Sequence, residues 1–259
     1  MGFVKTADEV AAIRSTLTGV EFLGGEMLSV DALVPPEQAA ALLPPGLEPA
    51  ETPRITVTVG RWRSNCCGDF GGGAVYVAAR HGAIEADYVL TMFMDSDVPL
   101  IFGRDLYGEP KKLATSMLYR NGDHMSGAVE RMGTRLIEIE ADLGPDLGPS
   151  SNVGRNFNVK SLLSADGTGL QGDPELTVAE FESRASLHRP AEARLRLRGT
   201  RHDPLDELTI VEVLGARYVE ADMKASCHGL GTIPADAFLP YAYGRMDDWS
   251  ALATARAPW

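Results

Sequence analysis

Positive charge, cysteine and long apolar runs are all scarce in this chain of 259 residues, and each scarcity excludes something. The chain has 24 Lys and Arg against 36 Asp and Glu, a net charge of −12. Phosphate backbones and anionic lipid surfaces need clustered cations, so nucleic acid and membrane partners are not expected. An anionic ligand would have to meet a local basic site. The cysteines are Cys66, Cys67 and Cys227, an odd number with two adjacent, which supports neither a disulfide framework nor zinc spacing. They read as small, buried or half-buried residues. His81, His124, His188, His202 and His228 are scattered, without HExxH or His-x-His, so no metal is expected. No apolar run approaches the ~18 residues of a membrane span, and the first ten residues lack the apolar core of a signal peptide. A cytoplasmic location is expected. There is no GxSxG nucleophile elbow. The glycine-rich stretch 68–73 lacks both the P-loop lysine and dinucleotide-binding spacing, and reads as a flexible hairpin or active-site loop. Asp95-Ser96-Asp97 is too short for a calcium loop.

What remains is an ordinary globular composition, 44% hydrophobic and 23% charged, on a chain long enough to bury a sizeable core. No repeat or linker divides it, so residues 1–259 are treated as one domain. Thr6 and Glu9 match a capping box, with Val10, Ile13 and Leu17 as an apolar stripe behind it. A second helix is expected over 37–43, between two proline pairs. After it the period becomes two. Ile55, Val57 and Val59 alternate with Thr56, Thr58 and Gly60; Ile137, Ile139 and Ala141 alternate with glutamates; Ala193, Leu195 and Leu197 alternate with arginines. The segments 74–79, 88–94, 208–213 and 217–223 read as further strands. Many short strands separated by Gly, Pro and Asp indicate an antiparallel sheet or barrel. A short helix is expected over 98–107, loops over 144–151 and 165–173, and the stretch from Pro234 onward is mixed.

The segment Gly103-Arg104-Asp105-Leu106-Tyr107-Gly108-Glu109-Pro110-Lys111-Lys112-Leu113 stands out. Taken alone, a Lys-Lys pair is a solvated turn. Here it lies between apolar strands of an acidic chain, and it resembles the active-site peptide of the acetoacetate decarboxylase family, Gly-Arg-Glu followed by Pro-Lys-Lys-Leu. The flanks agree in order. The run 87–95, DYVLTMFMD, is similar to that family's upstream apolar strand. Asn156-Phe157-Asn158-Val159-Lys160 is similar to its Asn-Tyr-x-x-Lys strand, and the segment 203–208 resembles a late Pro-Leu-x-x-Leu. The likeness covers roughly residues 22–225. It implies an α+β, mostly antiparallel fold, a cone-like β-barrel or sheet with a few flanking helices, in a homo-oligomer. It also implies a cofactor-independent reaction in which Lys111 forms an imine and Lys112 is its cationic neighbour.

The chemistry explains the residue type. A 3-oxo acid loses CO2 slowly because the electrons left behind lack an acceptor, and an iminium supplies one. The attacking amine must be neutral, yet an ordinary lysine of pKa ~10.4 is neutral only about once in 2,500 at pH 7. Desolvation and a nearby cation both favour the neutral form, and such a lysine in this family is a standard example of that effect. Met92, Met94, Leu100, Ile101 and Phe102 can form an apolar wall, and Lys112 and Arg104 can supply charge. In an extended segment Lys112 points away from Lys111, which favours the wall.

Some of the resemblance is missing. The family's arginine before the first strand falls on Gly25, and its two active-site glutamates fall on Val57 and Gly72. Asp69 can stand near the second glutamate position, and Arg61 or Arg63 can serve as the carboxylate clamp. Glu109 is either a proton carrier beside Lys111 or half of a surface ion pair. Tyr107 is either a proton donor or a packed aromatic. Three activities stay open: decarboxylation of acetoacetate or a related 3-oxo acid; aldolase, dehydratase or related lyase or hydrolase chemistry on a 2-oxo acid such as pyruvate; and non-catalytic binding of a small molecule.

Overall fold

The computed structural model describes residues 2–254. Thr6 caps the first helix, α1 (Ala7–Thr18), through the reciprocal pair with Glu9 that the sequence predicts. The stripe behind the cap stays peripheral, because α1 buries no residue. The chain continues as β1 (Val20–Leu33), α2 (Pro36–Leu42), β2 (Glu48–Pro49), β3 (Arg54–Ser64), β4 (Gly68–His81) and β5 (Ile84–Met94). The short helix α3 (Asp97–Phe102) runs into a π-helical turn, Gly103–Tyr107. Then come β6 (Lys111–Leu113), β7 (Thr115–Asn121), β8 (His124–Arg131), β9 (Thr134–Leu143), β10 (Ser150–Lys160), β11 (Glu175–Leu197) and β12 (Glu212–Thr232). Helices α4 (Ala235–Gly244) and α5 (Trp249–Thr254) complete the described residues. None of these helices is long and apolar enough to cross a membrane.

Seven strands close on themselves in the order β10-β5-β4-β3-β1-β12-β11, and β11 returns to β10. The circuit is antiparallel except where β10 meets β5 in parallel. The last part of β11, Ala191 to Leu197, leaves the barrel and pairs with β9, which continues through β8 to β7. The result is a barrel with a second layer of strands on its outer wall.

The period-two pattern explains the layering, with an inversion. Leu28, Val30, Ile55, Val57, Val59, Val75 and Val77 are all fully buried, and they share a cluster with Met125, Val129, Ile137 and Ile139 of the second layer. The apolar faces of β1, β3 and β4 therefore point out of the barrel, against that layer. Their alternate residues, Ser29, Thr56, Thr58 and Tyr76, face the lumen. The fully buried valines are the outer wall of a site, and the threonines its inner lining.

Two expectations are corrected. The stretch 68–73 is strand, not loop, and begins β4. A Cβ on Gly72 would lie 2.2 Å from the Phe93 carbonyl oxygen, and one on Gly73 would lie 2.6 Å from Val129. Glycine is needed there because strands pack closely across it. The expected strand over 208–213 is largely irregular backbone after a 3₁₀ turn at Leu205–Glu207, with β12 starting at Glu212.

Candidate active site

The three-residue strand β6 lies parallel to β5, with Lys111 opposite Met92 and Lys112 opposite Phe93. Alternation then sends the two lysines to opposite faces. Lys111 enters the lumen and is 7% exposed; Glu109, two residues earlier, is 6% exposed. Lys111 Nζ lies 2.7 Å from Glu109 Oε2 and donates to the Pro99 carbonyl oxygen at 3.0 Å. The contact with Glu109 is one of distance and charge, without hydrogen-bond angles, so Oε2 keeps its lone pairs unused. Gly103 makes room for the pair. A Cβ there would lie 2.1 Å from Glu109 Oε2 and 2.5 Å from Lys111 Nζ. The π-turn that carries Gly103 widens the end of α3 at this point, as such turns often do at functional sites.

Both side chains line a cavity of about 300 Å³ inside the barrel. Met92, Met94, Trp62 and Phe70 form an apolar part of its wall; Ser29, Thr56, Thr58 and Asn156 form a polar part. Tyr76 lines it too. Burial, then the charges of Glu109 and Asp87, pushes its phenol above the usual tyrosine range. Tyr76 is thus a protonated O–H donor beside the lysine–glutamate pair. Asp87 is also pushed up by burial, an effect that the Arg54 guanidinium, 2.7 Å away, opposes.

Of the residues singled out in sequence, the lumen brings together Lys111, Glu109, Met92 and Met94. Lys112 lies outside it. Its Nζ is buried among Asp203 at 2.7 Å, the His202 and Met246 carbonyls and Asp247, in a cluster that Arg131 completes. Lys112 is thereby held away from Lys111 by alternation. Arg104 is exposed on the π-turn and does not line the cavity. Tyr107 packs edge-on against Phe102 at 5.2 Å, in a cluster with Cys67 that borders but does not line the cavity. Burial, then the charge of Glu109, raises its pKa. Of the expected apolar wall, Leu100 packs against Met92 and Met94, Phe102 joins Tyr107, and Ile101 is exposed.

Arg61, Arg63 and Asp69 line a neighbouring cavity of about 350 Å³. It shares only Trp62 and Phe70 with the first, and these two rings stack 5.5 Å apart. Arg61 is already paired with Glu26 at 3.0 Å.

Several residues of the site carry no sequence signal. Tyr76 sits in a run that reads as apolar strand, and only its shared face with Thr56 and Thr58 places it in the lumen. Arg217, on β12, lines the same cavity. Arg245 donates to the Gly108 and Val159 carbonyls and so ties α4 to the backbone leading into Glu109. Among the described residues no group of three or more His, Cys, Asp and Glu is gathered for a metal ion.

Comparison with known proteins places this geometry. Residues 10–235 match the family model described as Acetoacetate decarboxylase (ADC). An acetoacetate decarboxylase from Burkholderia vietnamiensis is 25% identical over 221 residues, covering 83% of this chain and 88% of that one. A solved acetoacetate decarboxylase structure superposes with a TM-score of 0.75 at 17% identity, covering 88% of this chain and 99% of the other. The enduracididine biosynthesis enzyme MppR, complexed with the condensation product of pyruvate and imidazole 4-carboxaldehyde, superposes with a TM-score of 0.69 at 18% identity, covering 82% and 89%.

Proposed function

Because the chain belongs to the acetoacetate decarboxylase family, we propose that it is a lyase in which Lys111 forms a Schiff base with the ketone of an oxo acid. The observation that carries this reading is the burial of Lys111 Nζ at the cavity wall, 2.7 Å from Glu109 Oε2. A proton passing from Nζ to Oε2 leaves the neutral amine that attack on a carbonyl requires. The amine then attacks the carbonyl carbon, water leaves, and an iminium forms.

For a 3-oxo acid, the bond between the carboxylate carbon and its neighbour breaks next. Its electron pair moves into the iminium, carbon dioxide leaves, and an enamine remains. Glu109 or Tyr76 returns a proton to the enamine carbon. Water then hydrolyses the iminium, which releases the ketone and restores Lys111.

A second reading rests on the unused Glu109 Oε2 and the Tyr76 phenol in one cavity. Two proton carriers beside an enamine also suit aldol condensation or dehydration of a 2-oxo acid such as pyruvate, and the MppR complex holds a condensation product. Assaying CO2 release from 3-oxo acids beside condensation of pyruvate with aldehydes separates the two. Decarboxylation alone supports the first, condensation alone the second, and ligand binding with neither reaction contradicts both.

A further inference from the structure

We propose that the end of the cavity remote from Lys111 is a carboxylate-binding subsite built on Arg217, and that the substrate is an oxo acid carrying a second carboxylate beyond its ketone. This rests on the Schiff-base reading for the ketone, but the subsite stands on separate observations.

The strand registers line up one row across the barrel wall: Lys111, Met92, Ala74, Thr58, Ser29, Arg217. All six line the cavity. Five inter-strand steps of ~4.8 Å put Arg217 roughly 24 Å from Lys111 measured along the curved wall, and less across the lumen. The residues between are mostly small, and Ser29 and Thr58 hydrogen-bond to each other at 2.9 Å, which leaves the passage open. The volume, about 300 Å³, lies at the lower edge of the ~300–1,000 Å³ that holds drug-sized ligands. A four-carbon oxo acid at Lys111 would leave the far end empty.

That far end is chemically specific. Among the described residues lining this cavity, Arg217 is the one cation besides Lys111. Its Nη1 donates to Asp31 Oδ2 at 2.5 Å, it makes no other hydrogen bond among the described residues, and its side chain is 38% exposed. A guanidinium has five N–H donors in a planar fork, so donors remain for a ligand carboxylate. Asp31 is also held by Thr56 at 2.6 Å and Arg54 at 3.3 Å, and Arg54 reaches on to Asp87. This chain of contacts fixes the orientation of Arg217. Asp87 is itself paired with Arg54 at 2.7 Å, which offsets its repulsion of an incoming anion. With the distal carboxylate on Arg217 and the ketone at Lys111, the proximal carboxylate is the one free to leave as CO2.

The test uses stable keto acids that place a carboxylate beyond a methyl ketone. 7-Oxooctanoate and 8-oxononanoate, long enough to carry a carboxylate toward the far end, are trapped on the protein with cyanoborohydride and compared with the neutral ketones 2-octanone and 2-nonanone. In the unaltered protein the keto acids should half-saturate trapping at concentrations roughly tenfold or more below the neutral ketones. Arg217→Gln should erase that preference, measured as the ratio between each keto acid and its neutral ketone, and Arg217→Lys should retain part of it. No preference in the unaltered protein, or a preference that survives Arg217→Gln, would overturn the subsite. Calorimetric titration with hexanoate, which has no ketone, separates the two readings. Binding that depends on Arg217 without any trapping upholds the subsite and sinks the imine. Trapping at Lys111 without Arg217-dependent discrimination does the reverse.

Discussion

Lys111 and Glu109 place an amine nitrogen and a carboxylate oxygen 2.7 Å apart inside the barrel, each side chain less than a tenth exposed. Glu109 precedes β6 in a tight turn, where the Lys111 N–H donates to the Glu109 carbonyl oxygen at 2.8 Å, and Gly103 leaves the space into which both side chains point. In water such a pair would be a weak surface contact. Enclosed, it sets a carboxylate oxygen against an amine that must be neutral to attack a carbonyl.

Glu109→Gln should lower the turnover rate by about 10²–10⁴-fold, the usual contribution of a positioned proton carrier. The chain should still fold, because the amide matches the carboxylate in size. Steady-state rates beside thermal melts check this. A rate equal to that of the unaltered protein would reduce Glu109 to a charge-balancing neighbour.

Lys112 is predicted to matter for stability and not for imine formation. It faces Asp203 and Asp247 in a buried cluster, on the opposite side of β6 from the lumen. Lys112→Met leaves Asp203 with Arg131 as its remaining cation, so the loss should fall below the about 3–5 kcal/mol typical of a buried charge left wholly unpaired. Urea unfolding measures the loss, and the folded fraction should still trap ketones at Lys111. Undiminished stability would show that the cluster does not need this charge.

The buried phenols predict an alkaline weakness. Burial raises the pKa of Tyr76, Tyr88, Tyr107 and Tyr218, and the charge of Glu109 adds to it at Tyr76 and Tyr107. Unfolded, these groups ionise near pH ~10; folded, they hold their protons to higher pH. Their contribution is therefore full below pH ~10 and is lost as pH rises through the folded values. Tyr76→Phe should flatten that fall by its own share. Urea midpoints for both proteins between roughly pH 9 and pH 11 give the comparison; parallel curves would mean that Tyr76 is not so held.

The sequence was informative where the pattern is local. The capping box at Thr6, the strand periods and the Pro-Lys-Lys-Leu element are short-range features, and Lys111 stands where that element puts it. It was silent where the site depends on register. Tyr76, Asp87 and Arg217 meet because β4, β5 and β12 run through one barrel, and residues well over a hundred positions apart share its lumen. Alternation showed which residues of β3 share a face but not which face looks inward, so the threonine side had no reason to attract notice. Gly72 and Gly73 resembled a loop because the packing that demands them comes from Phe93 and Val129. Arg61, Arg63 and Asp69 lie close to the cavity in sequence, yet the Trp62–Phe70 stack sets them in the neighbouring one.

The most direct test is borohydride reduction in the presence of a panel of 2- and 3-oxo acids, followed by peptide mapping with mass spectrometry. A reduced adduct on the peptide containing Lys111, absent from a folded Lys111→Ala variant that also loses turnover, is the predicted result. An adduct confined to another lysine, or full activity in the Lys111→Ala variant, would contradict the account.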